Sequence, residues 1–551
     1  MADALISVKD LVLEAQDGGG WRQIVHGVSF DLAAGEVLGL IGESGAGKSS
    51  IGIAAMGRTR PGVRIASGSV RLEGKELIGA PEEDLRQISG QTVAYVAQSA
   101  AAAFNPAHKI IDQFAETAVQ EGRMSAQAAR ALGLEIFRKL DLPDPERIAQ
   151  SYPHQVSGGQ LQRCMVAMAM ACNPRAIIFD EPTTALDVTT QIEVLVAIRN
   201  AIAEFGTAAI YITHDLAVVA QIADRIMVLR NGREVESGAI GQILDTPAHP
   251  YTRDLLAVRK TPYGGSGKTE GAALATICNV SAAYGKAAPT IKDISLSIPE
   301  GRTVALVGES GSGKSTLGRV LAGLLPPVSG QIKLDGKQLA PDAMRRDKDT
   351  LRRIQMVYQS PDTALNPRHR VRKIVGRPVR FYFGTTGSAL GDRVAELLGE
   401  VGLDETYLDR RSAEMSGGEK QRLCLARALA ANPDLIICDE VTSALDQLIA
   451  RDIVDLLKRI QQKSGVSYLF ITHDIDTVRS IADDIVVLKS GEIVEQGSRE
   501  TILNPPYADY TKLLLSSVPE MRHGWLDQAI AERQVSASRA HAAHDVHRSS
   551  K

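Results

Sequence analysis

Four short motifs occur along this chain in one order, and then occur again in the same order. GESGAGKSS at 42–50 returns as GESGSGKST at 308–316, and VSGGQLQR at 156–163 as MSGGEKQR at 415–422. AIIFDEPTTALD at 176–187 returns as LIICDEVTSALD at 435–446, and YITHD at 211–215 as FITHD at 470–474. The lysines of the first motif stand 314 − 48 = 266 residues apart. Repetition in a constant order predicts a duplicated domain. Any fold proposed for one half must therefore serve the other.

Each half reads as α/β. EVLGLIG at 36–42 and TVALVG at 303–308 are apolar runs ending in glycine, as buried strands do. AIIFD and LIICD predict short strands ending in an acid, and AAIYIT and SYLFIT predict further strands. Long mixed segments of helical character lie between them. Strands alternating with helices imply a largely parallel sheet. The stretches 108–155 and 370–414 predict an inserted helical subdomain in each half. TPYGGSGKTEGAALA at 261–275 is Gly-rich and aperiodic, as a flexible linker is. The expected organisation is a first domain over 1–258, a linker over 259–275, a second domain over 276–520 and a tail over 521–551. In that tail WLDQAIAERQ predicts one short helix. SASRAHAAHDVHRSSK predicts a solvated, disordered end, and His541, His544 and His547 are read as part of it rather than as a metal site.

Composition removes some function classes. Apolar residues make up 44% of the 551, enough for substantial cores, and the formal net charge is −3. That leaves no basic excess for a large nucleic-acid footprint. Cys164, Cys172, Cys278, Cys424 and Cys438 form no CxxC pair and read as small buried hydrophobes in a reducing compartment. No apolar run reaches the ~18 residues that a membrane span needs. The N-terminus MADALISVKD lacks the basic and apolar regions of a secretory signal. The expectation is a soluble protein kept in the cytoplasm, with no direct membrane insertion and any membrane association made through partners.

The repeated motifs carry phosphate chemistry. GxxxxGK[ST] after a strand and before a helix is a phosphate cradle. Its glycines let successive backbone N–H groups turn inward, and the helix adds its positive end. The expected cradle is Gly42, Glu43, Ser44, Gly45, Ala46, Gly47, Lys48, Ser49 and Ser50 in the first half. In the second it is Gly308, Glu309, Ser310, Gly311, Ser312, Gly313, Lys314, Ser315 and Thr316. The lysines reach the β- and γ-phosphates of ATP, and Ser49 and Ser315 place a hydroxyl on Mg²⁺. Asp180 and Asp439, at strand ends, are the carboxylates expected to hold Mg²⁺. Glu181 and Glu440, next in line, are expected to orient or deprotonate the attacking water. A Ser-Gly-Gly run opening a helix makes another anion-binding N-terminus, at Ser157, Gly158, Gly159 and Gln160 and at Ser416, Gly417, Gly418 and Glu419. Two phosphate elements for one nucleotide per half suggest a head-to-tail pair, in which each half closes the ATP held by the other.

These residues resemble the ABC ATPase family over about 1–520. The resemblance implies two tandem P-loop domains, each with a RecA-like mostly parallel sheet core, an antiparallel β subdomain and an inserted helical subdomain. It implies that the Ser-Gly-Gly element completes the partner's site. Val156 and Met415 at its first position and Glu419 for Gln depart from the family pattern. It implies that Gln98 and Gln359 sense Mg²⁺, the water and the membrane partner. His214 and His473 would contact the γ-phosphate, and Asp187 and Asp446 would let each half feel the other's site. It places adenine on Tyr284 in the second half; the matching first-half position is Ala15, with Trp21 nearby as a candidate substitute.

YPHQVSGGQLQRCMVAMAMACNPRAIIFDEPTTALDVTTQ at 152–191, PAHPYTRDLL at 247–256 and the weaker PPYADYTKLL at 505–514 are similar to the ATPases of oligopeptide, dipeptide and nickel importers, here in fused form. The implied function is an ATPase that powers uptake of a peptide or related solute. Its implied partners are two membrane permease subunits and an extracytoplasmic substrate-binding protein, and its implied place is the cytoplasmic face of the bacterial inner membrane. No cysteine follows Cys438, so the iron–sulfur cluster of some relatives is not expected. Two rival readings are a tandem ATPase acting on ribosomes or DNA, and the ATPase of an exporter. The short Gly-rich joint and the absent basic excess point away from the first.

Overall fold

In the computed structural model, the described residues are 4–17, 19–120, 124–184, 186–257, 271–285, 287–443, 445–522 and 524–533. The chain divides into two compact units, Met1–Ala257 together with Pro519–Lys551, and Val258–Val518.

The first unit is built on two sheets. Strands β1 (Ile6–Asp17), β2 (Gly20–Leu32), β4 (Val63–Leu72) and β5 (Lys75–Glu76) form an antiparallel sheet in the order β2-β1-β4-β5. The second sheet contains β3 (Val37–Gly42), β6 (Val93–Val96), β7 (Ala176–Asp180), β8 (Ala208–Thr213), β9 (Arg225–Arg230) and β10 (Arg233–Ala239). Its order is β10-β9-β3-β8-β7-β6, parallel except for the edge strand β10. Every residue of β3, β7 and β8 is buried, which is why these strands read as unbroken apolar runs. Each large aliphatic side chain withdrawn from water there contributes roughly 1.5–3 kcal/mol.

The second unit repeats the plan. Strands β11 (Ala273–Ala282), β12 (Ile291–Pro299), β14 (Ser329–Leu334) and β15 (Lys337–Gln338) give the antiparallel order β12-β11-β14-β15. The mixed sheet has β13 (Thr303–Val307), β16 (Ile354–Val357), β17 (Leu435–Asp439), β18 (Ser467–Ile471), β19 (Asp484–Lys489) and β20 (Glu492–Ser498), in the order β16-β17-β18-β13-β19-β20. The inserted helices fall where expected, Ile110–Gln120 with Ala126–Lys139 in the first unit and Val371–Phe383 with Gly387–Glu400 in the second. In the first pair Phe114 meets Phe137 edge-on at 5.9 Å.

Two boundaries differ from the linear reading. Strand β11 begins at Ala273, inside the stretch read as linker, because its first residue pairs with Pro299; positions 259–270 of that stretch lie outside the described residues. The chain also rejoins the first unit at Pro519. A helix over 525–533 forms there and buries Trp525, Leu526 and Ala529. Gln221 holds it by donating to the carbonyls of Glu520 and Arg522 at 2.8 and 3.2 Å and accepting from the Leu526 N–H at 3.1 Å. Arg199 pairs with Asp527 at 2.8 Å, and Arg533 donates to the Thr189 carbonyl at 3.3 Å. The segment with His541, His544 and His547 lies outside the described residues.

Candidate functional site

Strand β3 delivers the chain to the cradle, and the helix Lys48–Ala54 leaves it. Gly47 caps that helix at φ 88°, and Gly313 caps Lys314–Leu321 at φ 102°. A side chain at either would be strained, and its Cβ would meet Val25 at 2.7 Å or Ile291 at 2.6 Å. Both lysines are buried and folded back into their loops. Lys48 Nζ donates to the carbonyls of Gly42 and Glu43 at 2.7 and 2.9 Å, and Lys314 Nζ to those of Gly308 and Glu309 at 2.8 and 2.7 Å.

The acidic pair comes to the cradle from the ends of β7 and β17, each one strand removed from β3 or β13 in its sheet. Ser49 Oγ donates to Asp180 Oδ1 at 2.7 Å, and Ser315 Oγ to Asp439 Oδ1 at 2.7 Å. Burial pushes the Asp439 carboxyl up. The next residues, Glu181 and Glu440, both sit at φ 49°, a left-handed conformation uncommon for a residue other than glycine. Gln98 Nε2 donates to Glu181 Oε2 at 3.1 Å and Gln359 Nε2 to Glu440 Oε2 at 2.8 Å. His214 Nδ1 lies 3.3 Å from Glu181 Oε1, and His473 Nδ1 lies 3.4 Å from Glu440 Oε1. Burial raises each glutamate's pKa, but the hydrogen bond and charge of its histidine, with the loop lysine, bring it below the ordinary value. Burial lowers each histidine's pKa, and the glutamate outweighs that and holds it above the ordinary value. Lysine, serine, aspartate, glutamate, glutamine and histidine thus converge in each unit with nearly the same geometry.

The Ser-Gly-Gly residues form a second group in each unit. Ser157 caps the helix Gly158–Met170 with a reciprocal bond to Gln160, and Ser416 caps Gly417–Leu429 with a reciprocal bond to Glu419. Glu419 accepts from the Ser416 N–H at 2.7 Å and from the Tyr407 hydroxyl at 2.5 Å, so the departure from Gln preserves the cap. Asp187 and Asp446 cap the helices Val188–Phe205 and Gln447–Ser464. Gly159 and Gly418 let the paired helices approach. A Cβ on Gly159 would stand 1.9 Å from Thr190, and on Gly418 2.8 Å from Ile449.

The aromatics part company. Tyr284 is 44% exposed, and its hydroxyl accepts from Arg319 at 3.1 Å. Ala15 pairs with Arg22 near the tip of the β1–β2 hairpin, where Trp21, also 44% exposed, carries the Arg64 guanidinium 4.3 Å above its ring.

Sequence reasoning missed three contacts. Tyr95 Oη donates to Asp180 Oδ2 at 2.5 Å, and Arg60 donates to the same oxygen at 3.2 Å. In the second unit the Glu309 N–H donates to Tyr510 Oη at 3.1 Å. That ties PPYADYTKLL to the cradle; the repeated Tyr-Thr in HPYT and ADYT was the available signal.

A metal here would meet hard oxygen donors, one hydroxyl and one carboxylate per unit, with substrate phosphate beside them. Mg²⁺ suits such sets, because it keeps several waters and needs few carboxylates. Among the described residues no cluster of three or more His, Cys, Asp or Glu is arranged to hold a metal.

Comparison with known proteins agrees with this chemistry. The family model described as ABC transporter matches residues 25–184 and 291–443, and that described as Oligopeptide/dipeptide transporter, C-terminal region matches 235–276 and 494–543. The chain is 36% identical over 525 residues to the Peptidoglycan transport ATP-binding protein YejF of Agrobacterium fabrum, covering 93% of this chain and 96% of that one. It is 36% identical over 528 residues to the uncharacterized ABC transporter ATP-binding protein YejF of Escherichia coli K12, covering 94% and 100%. It is 35% identical over 557 residues to the Glutathione import ATP-binding protein GsiA of Salmonella choleraesuis, covering 94% and 89%. With the cradle, the acidic pair and the histidine assembled twice, and with relatives matched across nearly its full length, the chain belongs to the ABC transporter family as an ATP-binding cassette ATPase carrying two cassettes.

Proposed function

We propose that this ATPase powers uptake of a peptide or related small solute through two permease subunits, with an extracytoplasmic binding protein delivering the solute. The observation that carries the reading is the nearly full-length match to ATP-binding proteins of peptidoglycan transport and glutathione import, together with the oligopeptide-type region matched in each half. Among the described residues no helix is long and apolar enough to cross a membrane, so translocation falls to partners. The proposed working place is the cytoplasmic face of the bacterial inner membrane.

The chemistry follows from the residues. Lys48 and Lys314 release their loop carbonyls to reach the β- and γ-phosphates. Ser49 with Asp180, and Ser315 with Asp439, would hold Mg²⁺, which would neutralise phosphate charge when bound. Water attacks the γ-phosphorus, the bond to the β–γ bridging oxygen breaks, and ADP leaves. Glu181 or Glu440, held ionised by its histidine, orients that water and accepts its proton. Gln98 and Gln359, bonded to those glutamates, link the site to the permease side in this proposal.

Co-expression with candidate permeases and reconstitution in vesicles tests the reading. ATP-dependent accumulation of a labelled peptide library in the presence of the cognate binding protein supports it. Stable ATP-dependent association with ribosomes, without binding to permeases, refutes it.

A further inference from the structure

The two aspartates read as metal carboxylates are held differently, and the difference is written in paired positions. Twelve residues beyond the loop lysine the first cassette has Arg60 and the second Pro326. On the strand before the loop glutamine, Tyr95 pairs with Ile178 in the first cassette, and Met356 pairs with Ile437 in the second. Each pairing partner lies two residues before its aspartate, so the positions are structurally equivalent.

The consequences are concrete. Asp180 has a side chain only 3% exposed, and it accepts from Ser49 on Oδ1 and from both Tyr95 and Arg60 on Oδ2. Its charge is thus balanced and both oxygens are bonded before any metal arrives. Asp439 accepts from Ser315 on Oδ1, while proline and methionine at the other two positions have no side-chain donor. Arg319 of the second cassette, whose counterpart is Ile53, is turned instead to the Tyr284 hydroxyl.

We propose that Arg60, seated by Tyr95 on a common oxygen, is a cation guard on the first cassette's metal site, so that the second cassette takes its metal·ATP first. A divalent ion arriving at Asp180 must displace or share the carboxylate with a guanidinium bonded to it; at Asp439 the carboxylate is bonded to Ser315, and Arg319 acts on it only through its charge. Arg60 is a positioning residue that acts through Asp180. This inference rests on the reading of Asp180 and Asp439 as the metal carboxylates.

The test uses the full-length chain with Glu181→Gln and Glu440→Gln to stop turnover, ATP, and Mn²⁺ as the probe, with free Mn²⁺ followed by electron paramagnetic resonance. Asp439→Asn isolates the first cassette's metal and Asp180→Asn the second's. In the Asp439→Asn background, Arg60→Pro or Arg60→Ala should tighten Mn²⁺ binding by about threefold to tenfold, the range for a half-exposed ion pair plus one removed like charge. Arg60→Lys should keep the original affinity. In the Asp180→Asn background, Pro326→Arg with Met356→Tyr should weaken Mn²⁺ binding. Unchanged or weaker Mn²⁺ binding in both Arg60→Pro and Arg60→Ala overturns the guard. If Asp180→Asn removes no Mn²⁺, the carboxylate reading itself has failed and the guard falls with it. That arm leaves Arg60 untouched, so the two failures are distinguishable.

Discussion

The first and second cassettes share a catalytic plan and differ in what surrounds it. The lysine-to-carbonyl bonds, the serine-to-aspartate bonds and the glutamate–histidine pairs agree to within a few tenths of an ångström. The surroundings do not match. The first cassette guards its aspartate with Arg60 and Tyr95, holds Trp21 under Arg64 and receives the C-terminal helix. The second braces Tyr284 with Arg319. Where the first holds that C-terminal segment with Arg199 and Gln221, the second has Lys458 and Ser480 at the matching places. The residues read as phosphate-contacting keep one geometry in both halves, and their neighbours differ.

The largest expected effect breaks the claim of catalytic equality. Glu181→Gln and Glu440→Gln, made singly, should each cost its own site roughly 100-fold or more in hydrolysis, the scale of a lost general base. Single-turnover ATPase measurement checks this. A variant that hydrolyses two ATP per chain at the wild-type rate shows that its cassette does not depend on that glutamate.

Next in size is Trp525→Ala. Truncating this buried side chain should cost about 3 kcal/mol locally. Hydrogen exchange should speed up in Val188–Phe205 and Leu216–Val219 and stay unchanged in Gln447–Ser464. Equal acceleration in both cassettes would erase the asymmetry assigned to the C-terminal helix.

Gly159→Ala and Gly418→Ala sharpen the comparison at the signature helices. Both overpack, at roughly 1–3 kcal/mol. The first should lie at the upper end, because its Cβ would fall 1.9 Å from Thr190 against 2.8 Å from Ile449. Urea unfolding of the two variants reads the order, and a larger loss for Gly418→Ala contradicts it.

The smallest effect concerns adenine. Tyr284→Ala should weaken binding of a fluorescent ATP analogue to the open state by roughly 1–2 kcal/mol. Trp21→Ala should do less, since Arg64 already occupies one face of its ring. Equal losses would show that the tryptophan takes over the stacking role.

Much of the site was legible because its parts are local. The loop glycines, lysine and serine lie within nine consecutive residues, and their order dictates a curled backbone with inward N–H groups. Buried parallel strands announce themselves as apolar runs, so the sheet core, the inserted helices and the duplication could all be read directly. The two tyrosines of HPYT and ADYT were visible as a pattern, but nothing in the pattern revealed that Tyr510 reaches the cradle.

What the sequence by itself determined is therefore the chemistry of short segments: two cassettes, the phosphate cradles, and the acid and histidine beside them. Only the tertiary structure decided which distant side chains close on those segments. Arg60 meets Asp180 across 120 residues, Tyr95 across 85, and Tyr510 meets Glu309 across 201. Gln221 grips the C-terminal segment 299 residues further on. The physical reason is that a hydrogen bond between remote positions leaves no periodicity in either partner's neighbourhood. It exists only because parallel strands and packed helices bring their ends together, and burial makes an unpaired polar group there costly.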